Sequence, residues 1–301
     1  MTPTPLSPPE RIGFIGLGQM GAPMVRNLAR AGFKVAVGDA NAQAVARVGA
    51  EIACEAPASL AALGAACRVV ITMLPDGNAV REVVLAMNLP RDAIVIDMSS
   101  SSPMGTRDLG RALAERGVAL VDAPVSGGVK KAVDGSLSIM AGGDPATIEH
   151  VRPVLTAMGK QIFLTGPLGS GHAMKALNNY VSAAGLAAAA EAVLAGSRFG
   201  LDPAAIVAIL NASTGKNNST ENKFPQFVLS RAFNSGFSLG LMVKDLRTAL
   251  DVAHATGTPA PLGEACVEAW ARAEQLLGGQ ADHTAVVKYW ERLAGSEIKG
   301  G

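Results

Sequence analysis

The stretch RIGFIGLGQMGAPM, residues 11–24, decides how this chain begins. An apolar run, Ile12 to Ile15, leads straight into a G-x-G-x-x-G array formed by Gly16, Gly18 and Gly21. Each glycine has a distinct physical task. Gly16 permits a tight strand-to-helix turn, Gly18 lets backbone approach a pyrophosphate with no Cβ in the way, and Gly21 lets the helix pack close to the strand. The first helical N–H groups then face the phosphates. The context is complete, because Met20–Ala31 reads as an amphipathic helix and Phe33–Val37 as a second strand. Asp39 ends that strand roughly 20 residues downstream, where a carboxylate can accept the ribose hydroxyls. A glycine turn without a ligand is the competing reading of the same array.

Asp39 also bears on cofactor choice. A carboxylate there repels the 2′-phosphate of NADP, and the following Ala40, Asn41, Ala42 and Gln43 bring no positive charge. NAD is therefore expected over NADP.

The 301 residues suit two domains, and 49% apolar against 17% charged residues describes a globular, core-rich chain. Net charge is +1 and the largest basic cluster is the pair Lys130–Lys131, so neither nucleic acid nor an anionic membrane is an expected partner. The proline-rich residues 1–10 read as a disordered tail rather than a signal peptide, and no uninterrupted apolar run of about 18 residues predicts a membrane span. Cys54, Cys67 and Cys266 are scattered, which suits free thiols in a reducing compartment and a cytoplasmic location. His150, His172, His254 and His283 form no metal-ligand pattern, so no metal is expected and core or surface roles suit each.

Strand and helix signals alternate through the first half. Strands are expected at Arg11–Ile15, Lys34–Val37, Val69–Met73, Ala93–Asp97, Ala119–Asp122, Leu137–Ala141 and Gln161–Thr165. Helices are expected at Gly18–Ala31, Ala42–Val48, Ala79–Met87, Pro103–Arg116 and Pro145–Met158, with Ser102 capping the fourth. That alternation predicts a doubly wound parallel sheet of the Rossmann type over residues 11–169. From Ser170 the character changes to an Ala-rich, continuous helix reaching Phe199. Asp202–Pro203 caps the next helix, and Leu239–Ala255 and Leu262–Leu277 are further helices, so residues 170–301 are expected to be all-helical.

Three constellations carry chemistry. Asp122-Ala123-Pro124-Val125-Ser126-Gly127-Gly128 follows a strand, and its Ser-Gly-Gly turn exposes successive N–H groups and a hydroxyl suited to a carboxylate. A flexible glycine turn is the plain alternative. Lys175, Asn178 and Asn179 stand at i, i+3 and i+4 of the long helix and share a face. A solvated polar stripe competes there, although polar groups on so apolar a helix need partners. Lys244-Asp245 sets a charge pair within another apolar helix; turned toward a cleft, Lys244 would favour the neutral form of Lys175. A surface pair is the alternative.

Together these motifs resemble the β-hydroxyacid dehydrogenase family, which includes 3-hydroxyisobutyrate, tartronate semialdehyde and threonate dehydrogenases. The resemblance rests on GFIGLGQMGAPM, Met73-Leu74-Pro75, Asp97-Met98-Ser99-Ser100, DAPVSGG, the G-x-x-x-K-x-x-N-N motif and Lys244-Asp245-Leu246. It implies a nicotinamide cofactor held by Gly16, Leu17, Gly18, Gln19, Met20, Gly21, Asp39, Leu74, Pro75, Ser100 and Lys244. It also implies Lys175 as catalytic acid–base, Asn179 as the group that orients substrate, and Ser126, Gly127 and Gly128 as the carboxylate site. The family usually has Thr at the Ser100 position. Gly38-Asp39 replaces the Asn-Arg of NADP-dependent members. Val129-Lys130-Lys131-Ala132 is more similar to the threonate and phenylserine branch, with Lys131 either a substrate contact or a surface lysine. Other pocket-lining groups are expected from Val129–Lys131, Phe237 and Asn211–Phe224. The expected activity is NAD-dependent oxidation of a small 2- or 3-hydroxy acid, or the reverse reduction, by a homodimer or homotetramer. Two rival functions are an imine reductase, disfavoured by Lys175 and the Ser-Gly-Gly turn, and a non-enzymatic binding protein, disfavoured by Lys175 and the lack of a basic extension.

Overall fold

A computed structural model describes residues 4–299 and divides into two compact units, one ending at Lys175 and the other beginning at Ala176. In the first unit, β1 (Arg11–Ile15), α1 (Gly21–Arg30), β2 (Lys34–Gly38), α2 (Ala42–Glu51), α3 (Leu60–Ala66) and β3 (Val69–Thr72) follow in turn. Next come α4 (Gly77–Leu85), β4 (Ile94–Asp97), α5 (Pro103–Glu115), β5 (Ala119–Asp122), β6 (Val125–Ser126) and α6 (Gly128–Val133). The unit closes with β7 (Leu137–Gly142), α7 (Pro145–Met158), β8 (Gly159–Gly166) and the start of α8 (Ser170–Phe199).

The sheet order is β2-β1-β3-β4-β5-β7-β6, with β8 paired to β7. The pairings from β2 to β5 are parallel, β7 is antiparallel to β5 and β6, and β8 runs parallel to β7. Strand periodicity explains why both faces are covered. Ile94 and Ile96 join α1 and α7 residues such as Met24, Leu28, Val151 and Leu155 in one core. Val95, between them, joins Val80, Val84, Leu109 and Leu113 of α4 and α5 on the opposite face. The order reverses at β1, whose neighbours are β2 and β3, and ligands of open α/β sheets bind beyond the strand ends at such a point.

Several boundaries differ from expectation. α1 begins at Gly21 because Gly18 to Met20 remain in the turn. Ser102 stands at the α5 N-cap position without a side-chain cap bond. The short helices α3, LAALGAA, and α6, GVKKAV, lack an apolar stripe that marks a helix in sequence, the first because its residues are small and the second because it is a turn and a half with two lysines. Residues 4–10, expected as disordered tail, run along the first unit: Leu6 N–H donates to His150 O at 2.9 Å and the Leu6 side chain packs on the core. Burial of one leucine and that bond set the path. Residues 1–3 lie outside the described residues.

The second unit continues α8 and adds α9 (Pro203–Ala212), a π-helical segment (Ser219–Val228), α10 (Leu239–Ala255), α11 (Pro261–Leu277), a 3₁₀ turn (His283–Val286) and α12 (Val287–Ala294). Asp202 caps α9 through Ala205 N–H at 2.9 Å, and Ser238 caps α10 through Leu241 N–H. α8 is long and apolar enough to cross a bilayer by length and composition alone. One face of it lies in the core of the second unit, with Ala183, Leu186, Ala190 and Val193 in a cluster with Phe224, Val243, Trp270 and Trp290, while Val181 and Phe199 are exposed.

All three cysteines are free; burial pushes the Cys67 and Cys266 thiols up to about 11 and raises Cys54. Lys223, on the π-helical segment, is almost fully buried and donates to Ser182 Oγ at 2.8 Å. Burial pushes its ammonium down to about 8 from 10.5, outweighing the favourable charge of Asp282. Between those values the unfolded chain holds a proton that the folded chain has released, so folded stability rises with pH by up to ~1.4 kcal/mol per unit. Below about pH 8 the folded state carries the full burial cost. Lys223→Met should therefore melt at higher temperature at pH 7, with a flatter melting profile between pH 8 and 10.5. Thermal melts across that range check this, and parallel curves for the two proteins would contradict it.

Candidate functional site

The glycine array opens where β1 ends. Gly16 adopts φ +100°, and a Cβ there would lie 2.1 Å from Met73 O, so only glycine lets this turn pass the end of β3. A Cβ on Gly21 would stand 1.8 Å from Gly16 O, which fixes glycine at the helix start. Gly18 differs: nothing lies within 4 Å of its added Cβ. It sits exposed with Gln19, while Met20 packs partly on the core. No side chain caps α1 and no acidic residue occupies its first turn. An open glycine beside an uncapped helix start is suited to an anion.

Asp39 lies just beyond β2, beside this turn. Its Oδ2 accepts the Leu17 N–H at 2.6 Å and its Oδ1 the Asn41 N–H at 2.7 Å. Leu17 is fully buried, and its N–H holds Asp39 beside the turn. Each carboxylate oxygen retains a further lone pair for a hydroxyl.

Across the switch point, Asp97 at the end of β4 organises the next loops. Its Oδ1 accepts Thr72 Oγ1–H and Ser99 N–H, each at 3.0 Å, and its Oδ2 accepts Ser101 Oγ–H at 2.7 Å. Ser99 Oγ in turn accepts the Leu74 N–H at 2.9 Å. Leu74, Pro75 and the half-buried Ser100 are thus set by a carboxylate whose part the sequence did not disclose.

Ser126 belongs to β6, paired with Ser138, and the two glycines after it turn the chain with φ +128° and +67°. Gly128 is open on its Cβ side, whereas a Cβ on Gly127 would meet the Lys131 stem at 2.3 Å. Lys131 is exposed and folds back over this turn, and Lys130 is exposed on α6.

Lys175 is half-buried at the close of the first unit, and Asn178 and Asn179 stand one turn further along the same helix. In the second unit the buried Asn179 donates from Nδ2 to Asp245 Oδ2 at 2.6 Å and accepts at Oδ1 from Asn178 Nδ2 at 3.2 Å. Asp245 Oδ1 lies 3.6 Å from Lys244 Nζ. One buried carboxylate therefore joins the Asn179 amide to the Lys244 ammonium. Lys244-Asp245 in an apolar helix was the sequence signal, but the link to Asn179 is tertiary. Phe237 stacks edge-on against His283, and burial pushes that imidazole down to about 4. Val129 lies in the first turn of α6, and Asn211 Nδ2 donates to Thr220 O at 3.0 Å. Among the described residues no group of three His, Cys, Asp or Glu is placed to hold a metal.

Comparison with known proteins matches residues 11–166 to the NAD binding domain of 6-phosphogluconate dehydrogenase. Residues 169–290 match a family described as NAD-binding of NADP-dependent 3-hydroxyisobutyrate dehydrogenase. The chain is 37% identical over 302 aligned residues to 2-(hydroxymethyl)glutarate dehydrogenase of Eubacterium barkeri, covering 97% of this chain and 98% of that one. It is 39% identical over 282 residues to 3-hydroxyisobutyrate dehydrogenase of Pseudomonas aeruginosa, covering 90% and 93%. Among solved structures, 3-hydroxyisobutyrate dehydrogenase of Mycobacterium tuberculosis with L-serine superposes with a TM-score of 0.88 at 34% identity, over 93% of this chain and 99% of that one.

Proposed function

The chain belongs to the β-hydroxyacid dehydrogenase family, and within it we propose an enzyme that uses NAD to interconvert a small 2- or 3-hydroxy acid and its semialdehyde or keto acid. Family membership makes it an oxidoreductase acting on CH–OH with a nicotinamide cofactor. The observation that carries the finer reading is the Lys175 amine, on one face with Asn178 and Asn179 of a helix otherwise rich in Ala, Leu and Val. No core-packing need explains three such side chains there.

The glycine cradle fits a dinucleotide, since Gly18 is open, α1 is uncapped and Asp39 stands beside the turn. Gly16 to Gly21 and Asp39 would hold the dinucleotide, which would supply a hydride acceptor for oxidation and a hydride donor for reduction. The chain's own groups do the rest. Lys175 Nζ takes the substrate hydroxyl proton in oxidation and returns it to the carbonyl oxygen in reduction. Asn179, whose amide Asp245 holds in one orientation, directs its remaining N–H to the substrate. Ser126, Gly127 and Gly128 hold the carboxylate through hydroxyl and backbone N–H groups. Asp39 binds the ribose hydroxyls and repels a 2′-phosphate, which supports NAD over NADP. The homologues named for hydroxymethylglutarate and hydroxyisobutyrate support a small hydroxy acid as substrate class. Exposed apolar residues on α8, Val181 and Phe199 among them, support a homo-oligomer, and the covered thiols suit a cytoplasmic setting.

Lys175→Ala should lower kcat by ~10²–10⁴-fold while NADH still binds, as loss of a general acid–base requires. The assay is NAD reduction across 3-hydroxyisobutyrate, 2-(hydroxymethyl)glutarate, threonate, glycerate, 3-hydroxypropionate, phenylserine and L-serine. Near-normal turnover by the variant would end the assignment. Asp39→Ala should narrow the preference for NAD over NADP; equal kcat/KM ratios in variant and parent would refute that role.

A further inference from the structure

The N-terminus of α8 is held by buried groups that the reaction itself does not use. Asp122, the last residue of β5, is fully buried. Its Oδ1 accepts the Gly169 N–H at 2.7 Å and its Oδ2 the His172 N–H at 2.8 Å. One carboxylate from the sheet thus satisfies N–H groups at the entry of a 30-residue helix, where the helix concentrates positive charge. The surroundings permit no slack. A Cβ on Gly171 would lie 2.2 Å from Met140 O, and a Cβ on Gly142 2.6 Å from Asp122 Oδ1.

His172 extends the anchor across the sheet. Its buried ring places Nδ1 2.9 Å from Thr106 Oγ1 on α5, and Nε2 faces Asp97 Oδ2 at 3.6 Å with no nearer hydrogen-bond partner. Asp97 already accepts from Thr72, Ser99 and Ser101. Nδ1 also lies 3.7 Å from Asp122 Oδ2, and the Thr106 hydroxyl that meets the ring donates to Ser102 O at 3.0 Å, so the imidazole stands between both buried carboxylates and the first turn of α5.

We propose that Asp97, His172 and Asp122 form the device that positions Lys175. Lys175 follows His172 by one helical turn, Ser126 to Gly128 follow Asp122, and Leu74, Pro75 and Ser100 are organised by Asp97. The loops assigned to cofactor, the turn assigned to substrate carboxylate and the helix bearing the amine therefore meet at three buried side chains. The proposal rests on the reading of Lys175 as acid–base. All three are buried, so their effect runs through the amine, and a ~1 Å misplacement of a reacting group costs about 10²-fold in rate.

Asp122→Asn turns one acceptor into a donor facing a backbone N–H, and Thr106→Val removes the hydroxyl that meets the His172 ring, together with its bond to Ser102 O in the first turn of α5. Both full-length variants are assayed with the hydroxy acid that the parent turns over fastest, with and without deuterium at the reacting carbon, and with NADH titration by fluorescence. Asp122→Asn should lose about 10²-fold in kcat, as that misplacement predicts. KM for the acid and the NADH Kd should be unchanged, and the isotope effect on kcat should rise as the chemical step becomes limiting. Thr106→Val should show a smaller loss with the same signature, and it decides alone if Asp122→Asn does not fold. Parental kcat in the variants overturns the proposal. So does a loss of activity in step with NADH binding at constant isotope effect, because that is general unfolding. A parent chain without turnover on any acid would sink the dehydrogenase reading, and this inference with it, whereas an active parent with unimpaired variants sinks the inference alone.

Discussion

Burial of charge at the ends of β4 and β5 is the constraint around which the first unit is arranged. A carboxylate withdrawn from water must find donors, and each of Asp97 and Asp122 finds them in the segments that leave the sheet. Asp97 collects a threonine, a backbone N–H and a serine from the loops at the switch point, and Asp122 collects two N–H groups from the mouth of α8. Loops that would otherwise be free to vary are tied to the most rigid part of the fold. Gly142 and Gly171 belong to the same arrangement, since any side chain at either would push the helix off the sheet.

The second unit repeats this economy with Asp245. A single buried carboxylate holds the Asn179 amide and stands beside the Lys244 ammonium, so two polar groups on different helices are fixed without a dedicated loop. Lys223 is the contrasting case, a buried cation answered mainly by a hydroxyl, and its ammonium is correspondingly easier to deprotonate.

Legibility from sequence divides along the same line. The β1–turn–α1–β2 passage could be read because its determinants are local: three glycines with separate steric duties, short apolar runs and an acidic strand end. α10 was legible to its termini because Ser238 caps it and Gly257 follows it. What escaped reading was tertiary. Nothing near Asp97 announces His172, and nothing near Asn179 announces Asp245. α3, built of LAALGAA, lacks the apolar–polar contrast that marks a helix face, and α12 lay outside the periodic segments although its VKYWERLA buries Val287 and Trp290. Residues 4–10 escaped because a proline-rich composition hides the one leucine that docks them.

The buried thiols acquire meaning beside the chemistry proposed here. A semialdehyde is an electrophile, and sulfur attacks it as thiolate, as it does peroxide. Apolar cover keeps Cys67 and Cys266 as S–H far above neutrality, and Cys54 is raised in the same sense. Thiols held as S–H in this way are poorer nucleophiles toward an aldehyde product, and poorer targets for an oxidant, than exposed thiolates would be.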